Sequence, residues 1–156
     1  MQLETWDAPS GDAAIPNHPR FPVLIYRGVP VEDIERVLAD HGWGGAWTDG
    51  VFDFHHFHST SHEVLAVVAG SATLELGGPQ GESFDVAEGD VLVLPAGTGH
   101  RRAAARDGFT VVGAYPAGQE RYDLLREADD AARERIRALP APDEDPVGGD
   151  GIRRWA

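Results

Sequence analysis

The sequence predicts a mainly β protein: a small closed or sandwiched antiparallel barrel with an N-terminal arm and short flanking α-helices. Three observations predict it. Between Val51 and Tyr115 short β-prone runs follow one another with no helical periodicity between them. Gly77-Gly78-Pro79-Gln80-Gly81 and Glu88-Gly89-Asp90 punctuate those runs as turns. Nineteen glycines and eleven prolines in 156 residues supply the turn positions that such a chain needs.

Taken in order, residues 1–22 are polar and interrupted by Pro9, Pro16, Pro19 and Pro22, which predicts an extended arm with no core of its own. Phe21 to Tyr26 reads as a strand, with Pro22 confining its start to a sheet edge. Val31 to His41 predicts a helix: Val31, Ile34, Val37, Leu38 and His41 share a face, Glu32 and Asp33 occupy the first turn, and Gly42 can end it. Gly42 to Gly50 reads as a loop, with Trp43 and Trp47 expected to plug a barrel end or a subunit contact rather than touch a ligand. Strands are expected at 51–58, 63–69, 71–76, 83–86, 91–94, 100–104 and 109–115, so that 50–115 forms the barrel core. Residues 119–139 step apolar positions by three and four, as one helix or as two broken near Asp129-Asp130, and Pro140 stops them. The tail, 140–156, is expected as loop anchored by Trp155, with the acidic residues Asp143 to Asp145 in a solvated turn. One domain, 1–156, is the reading that length supports.

Composition removes several function classes. The absence of cysteine excludes disulfides, thiolate metal sites and cysteine nucleophiles. A net charge of −13 argues against nucleic acid and against an anionic membrane surface as partners. There is no basic, helix-turn-helix-like segment for a nucleic-acid regulator. No apolar run reaches membrane-spanning length, and Met1 to Asp7 lacks the character of a signal peptide, so a cytoplasmic protein is expected.

The chemistry concentrates between Gly50 and Gly70, where four of the seven histidines fall within eight residues and a glutamate follows at once. In an extended run, Phe52, Phe54, His56 and His58 share one face while His55 and Phe57 point the other way. That pattern describes an apolar interior ending in a pair of imidazoles. Parity then separates Glu63, Leu65 and Val67 from His62, Val64 and Ala66. A lone carboxylate on an apolar strand face is costly unless paired or bound to a metal, which favours Glu63 as a ligand. His62 stays open as an alternative ligand or as a residue supporting the ligands. Farther on, Gly89 to Leu94 leads through Pro95-Ala96-Gly97 to His100, a third imidazole. Arg101 and Arg102 straddle strand parity beside it, so one of them could meet a substrate carboxylate or both could sit solvated at the rim. His55 is expected on the barrel exterior, and His18 and His41 at the surface.

These stretches resemble the two motifs of the cupin family. Gly50, His56, His58, Glu63 and Gly70 fit G-x5-H-x-H-x4-E-x6-G. Gly89, Pro95, Gly97 and His100 fit G-x5-P-x-G-x2-H-x3-N, with Ala104 in place of the final asparagine, a position that is not a metal ligand in the family. The Pro-Val-Leu-Ile-Tyr-Arg strand, the Val-Gly-Ala-Tyr-Pro segment at 112–116 and the Asp145-Pro146-Val147-x-Gly149 tail ending in Trp155 resemble YjlB-like bacterial cupins. The resemblance implies a small antiparallel double-stranded β-helix, or jelly-roll barrel. It also implies one divalent transition metal (Fe, Mn, Ni or Zn) held inside by His56, His58, Glu63 and His100. A homodimer is implied too, with the arm available for exchange.

Two functional classes follow. In the first, a metal-dependent enzyme of dioxygenase or isomerase type acts on a small polar molecule, and by family analogy Glu63 can serve as base. In the second, the barrel binds or senses metal and a small molecule without turnover. An apolar pocket lined by Phe52, Phe54, Leu65 and Val67, with few proton-transfer groups besides the ligands, suits metal redox chemistry or simple binding.

Overall fold

Two long strands carry the sheet. In the computed structural model, which describes residues 1–156, the elements run β1 (Gln2–Trp6), β2 (Val23–Arg27), α1 (Ile34–Asp40), β3 (Trp43–Asp49), β4 (Glu63–Leu76), β5 (Glu82–Ala87), β6 (Val91–Leu94), β7 (His100–Pro116), α2 (Asp130–Ala138) and a 3-10 turn, Gly151–Trp155. All strands belong to one antiparallel sheet ordered β1-β2-β6-β4-β7-β3, with β5 pairing the second half of β4. The first half of β4 pairs β6 and the last residues of β7; its second half pairs β5 and the first residues of β7. The two halves therefore belong to different walls of the barrel.

The bend between the walls sits at Gly70. It has φ +68°, and a side chain there would lie 2.6 Å from the Arg106 carbonyl oxygen. Only glycine lets β4 and β7 stay paired through the irregularity. The expected strands 63–69 and 71–76 are thus one strand, and so are 100–104 and 109–115.

Strand parity sorts the core. Val64 and Ala66 join Leu24, Tyr26, Val91, Val93, Val112 and Ala114 on the outer face, where α1, Trp43 and Trp155 cover them. Leu65 and Val67 face inward with Val23, Ile25, Leu92, Leu94 and Val111. Ile15, Phe57, Ala96 and Ile136 form a third cluster that joins the arm and α2 to one side of the barrel.

Several expectations need correction. Residues 51–58 are not a strand: only His56 and Phe57 make isolated bridges, to His100 and Leu125. Phe52 consequently leaves the interior and is 54% exposed. Gly42 to Gly50 is not a loop, because Trp43–Asp49 pairs β7 along the sheet edge, and Trp43 is buried with its Nε1 donating to the Glu144 carbonyl. The arm is not wholly unstructured, since residues 2–6 pair β2. Helix in 119–139 is confined to α2, which Asp129 caps by accepting from Ala132 N–H. Asp145 is buried rather than solvated. Its carboxylate accepts from Tyr26 Oη at 2.5 Å and from the backbone of Val147, Gly149 and Ile152, tying the tail to β2. His18 is also buried, stacked on Phe21 at 4.2 Å. Trp155 anchors the tail as expected, donating to the Pro22 carbonyl.

Candidate metal centre

Three histidines reach the barrel interior from two places in the chain. His56 and His58 keep their shared side although no strand forms, because the His56–His100 backbone pair (2.9 and 3.2 Å) holds the segment extended at that point. His100 enters after the turn at Gly97, where φ is +88° and an added side chain would lie 2.9 Å from Asn17 O. One ring nitrogen from each of His56, His58 and His100 lies within 4.8 Å of the others, and all three residues are buried.

The tautomers follow from their partners. His56 Nδ1 meets Phe54 O at 2.9 Å, His58 Nδ1 meets Asp123 O at 2.5 Å, and His100 Nδ1 meets Thr98 O at 3.0 Å. A carbonyl oxygen only accepts, so each Nδ1 carries the proton and each Nε2 offers a lone pair. Glu63, the first residue of β4 and inward by parity, adds a carboxylate. Its Oε2 accepts from Tyr115 Oη at 2.9 Å. Its Oε1 is buried without a hydrogen-bond partner, 3.4 Å from His58 Nε2 and 3.3 Å from His100 Nε2.

Those separations are long for a charge-assisted hydrogen bond. They match two donors sharing one ion, since donors about 2.1 Å from a metal stand about 3.0–3.4 Å apart. Imidazole lone pairs and a carboxylate oxygen converging in a dry interior require a positive charge among them. Burial would lower the His58 pKa, but the adjacent Glu63 carboxylate outweighs it and raises it. Burial would likewise raise Glu63, and facing His58 and His100 holds it well below the usual carboxylate range. His56, farther from the carboxylate and beside His100, is pushed by burial down to about 3. A divalent cation fits the same place and satisfies every donor at once.

The structure does not bring His62 into this group. It lies on the outer side of β4, its Nδ1 accepting from Ala96 N–H at 2.9 Å and its Nε2 donating to Pro140 O at 3.0 Å, with Trp155 at 4.9 Å. Arg101 turns away to Glu75 and the Asp53 carbonyl, whereas Arg102 lines the cavity over the histidines. His55 sits outside near Glu75.

That cavity, about 560 Å³, is not the apolar pocket expected. Leu65 lines it, but so do Trp47, Asp49, Tyr115 and Tyr122. Trp47 had been expected as a plug; instead it donates from Nε1 to Tyr115 Oη at 2.7 Å, over Gly113, where any side chain would overlap its ring. Tyr115 was legible in principle, because parity with Val111 places it inward. Tyr122 and Asp123 carried no signal, since their place depends on how the chain returns over the barrel after β7. Asp123 fixes that return, accepting from Ser59 N–H and Oγ as well as from His58.

A family model described as a cupin domain matches residues 46–112. The chain is 38% identical over 144 residues to the uncharacterized protein YjlB of Bacillus subtilis (strain 168), covering 88% of this chain and 86% of that one. Among solved structures, it is similar to an acireductone dioxygenase from Bacillus anthracis with a cadmium ion in its active centre (20% identity, TM-score 0.41, 57% of this chain and 60% of that one). It is similar to a DUF861 family protein from Thermotoga maritima (18% identity, TM-score 0.39, 61% and 98%) and to an oxalate decarboxylase (18% identity, TM-score 0.38, 67% and 23%). The chain spans less than two thirds of the length of either named enzyme, and likenesses this distant carry nothing about activity. On the strength of the cupin-domain match and the extent of its identity to YjlB, the chain belongs to the cupins, in the family of YjlB.

Proposed function

We propose that this cupin holds one divalent transition metal (Fe, Mn, Ni or Zn) through His56, His58, His100 and Glu63, and that it acts as a metal-dependent enzyme on a small molecule entering the adjoining cavity. The observation that carries the reading is the unpartnered, buried Glu63 Oε1 facing two imidazole lone pairs. Once bound, the metal supplies Lewis acidity toward a substrate oxygen or, with iron, dioxygenase-type chemistry.

The chain's own residues supply the remainder. Backbone carbonyls at Phe54, Asp123 and Thr98 hold the imidazoles in one tautomer. Tyr115, its own pKa raised by burial and the neighbouring Glu63 charge, stays protonated and keeps Glu63 Oε2 occupied. Glu63 Oε1 would be committed to the metal in this reading, so a base role for Glu63 would require that oxygen to leave the ion. Arg102 meets Asp53 only at 3.9 Å, which leaves its guanidinium available to an anionic group on the substrate. Such polar groups favour an enzyme over a module that binds without turnover. We further propose a cytoplasmic homodimer, which light scattering of the purified chain would check; a monomer would refute it.

Metal content decides the central point. Protein purified from metal-replete medium should carry about one equivalent of transition metal, and a His56→Ala/His58→Ala variant should carry none. Iron would direct assays to oxygen consumption, and zinc, nickel or manganese to isomerisation. An unmetallated wild type that also fails to take up added metal would refute the reading.

A further inference from the structure

The cavity's size and rim point to more than a small polar ligand. Four large hydrophobic residues of the whole chain are conspicuously exposed: Met1, Phe52, Tyr122 and Leu124. Three of them, at 54%, 42% and 39% exposure, line this one cavity. Exposed apolar side chains scattered singly need no explanation, but a group gathered around one opening marks a ligand groove.

The rim is also set rather than loose. Phe52 stacks on Phe54 at 4.9 Å with 19° between the rings, and Arg126 lies 4.3 Å over the Phe54 face. Tyr122 stacks on Tyr115 at 4.4 Å and 20°, continuing the aromatic wall from the interior to the surface. The segment that carries Tyr122 and Leu124 is pinned between them by Asp123 and just beyond them by the Phe57–Leu125 backbone pair. Fixed aromatic faces bind planar groups at low entropic cost. The volume, about 560 Å³, falls in the roughly 300–1,000 Å³ range that encloses drug-sized organic molecules, with room beyond a head group at the histidines.

We infer that the ligand of this cavity is a molecule with an oxygen-donor head and a planar, aromatic or otherwise unsaturated body: the head seats among His56, His58, His100 and Glu63, and the body lies against Tyr115, Tyr122 and the Phe52–Leu124 rim. The inference rests on the metal reading above and narrows its substrate class.

The test holds the head constant and changes the body. Zinc-loaded protein is titrated calorimetrically with acetohydroxamic acid and benzohydroxamic acid. Benzohydroxamate should bind at least about tenfold more tightly, the ratio that burial of a ring produces. In a Phe52→Ala/Leu124→Ala variant, whose altered residues are exposed and whose zinc content is checked, the ratio should fall by at least about threefold. Equal affinities on the wild type, or a ratio that the rim variant leaves unchanged, would overturn the inference while the metal reading stands. Neither acid binding to zinc-loaded protein would overturn the inference alone; protein that takes up no zinc would remove the metal reading and the inference together.

Discussion

Two sets of buried histidines, His56, His58 and His100 inside the barrel and His62 and His18 outside it, differ in what their ring nitrogens are given to do. His56, His58 and His100 each spend Nδ1 on a backbone carbonyl and leave Nε2 free beside Glu63. His62 spends both nitrogens on backbone groups, and His18 spends Nδ1 on the N–H groups of Arg20 and Phe21. Burial is alike in the two sets, so burial says nothing about role. His18 Nε2, which carries the proton because Nδ1 accepts, is buried without a partner, so it offers no lone pair either. Unspent lone pairs aimed at one another suit a cation; a ring whose lone pair is spent on a backbone N–H ties segments together.

The sharpest way to break that comparison is to remove one member of each set. His62→Ala leaves the Ala96 N–H and the Pro140 carbonyl without partners and opens space against Trp155, so unfolding free energy should fall by about 3 kcal/mol with metal content unchanged. His56→Ala removes a single hydrogen bond beside an existing cavity. It should cost only about 1 kcal/mol in metal-free protein yet abolish the rise in melting temperature that added zinc gives the wild type. Urea denaturation of the metal-free proteins, thermal melts with and without zinc, and the metal content of the folded proteins read both. If His62→Ala loses metal, or His56→Ala keeps the zinc-induced shift, the division is wrong.

The division was half legible in the sequence. Parity separated Glu63 from His62, the cost of a lone carboxylate on an apolar face favoured Glu63, and the two motif spacings singled out the same three histidines. Those signals are local, and they survive even where the expected strand at 51–58 is absent, since a single backbone pair with His100 preserves the alternation. The missing parts depend on long-range return of the chain. Trp47 looked like part of a glycine-rich loop because its pairing partner, Gly113, is 66 positions away. Asp123 fell within a helical periodicity that its contacts with Ser59 and His58 override. His18 looked like a surface residue between prolines, and only packing on Phe21 buries it.

Acid should expose the second set. Burial, reinforced by His62 and Arg20, lowers the His18 pKa from its ordinary value to about 4. The folded protein therefore refuses a proton that the unfolded chain accepts. This costs no stability above about pH 6.5 and progressively more as pH falls toward 4, after which the penalty is constant. Metal-free wild type should lose about 1–2 kcal/mol over that window from this residue, allowing for partial solvent access. His18→Asn keeps an acceptor for the following N–H groups and has nothing to titrate, so its stability should decline less steeply. Parallel slopes for the two proteins between pH 7 and 4 would show that His18 is not among the groups responsible.

A further expected effect bears on the first set, through Tyr115. Its hydroxyl accepts from Trp47 Nε1 and donates to Glu63 Oε2, so one carboxylate oxygen is committed and the other is left for the ion. Tyr115→Phe keeps the ring stacked on Tyr122 but frees Oε2, allowing Glu63 to rotate. Zinc affinity, followed by competition with a chelator, should weaken by about tenfold, the low end of what removing a partner of a metal ligand costs. The metal-free protein should change little, because both the donor and the acceptor it abandons face the cavity. A purely structural tyrosine would show the reverse, with lowered stability and unaltered zinc affinity. That outcome would reduce the histidine–glutamate group to four donors that orient one another without help from the aromatic wall.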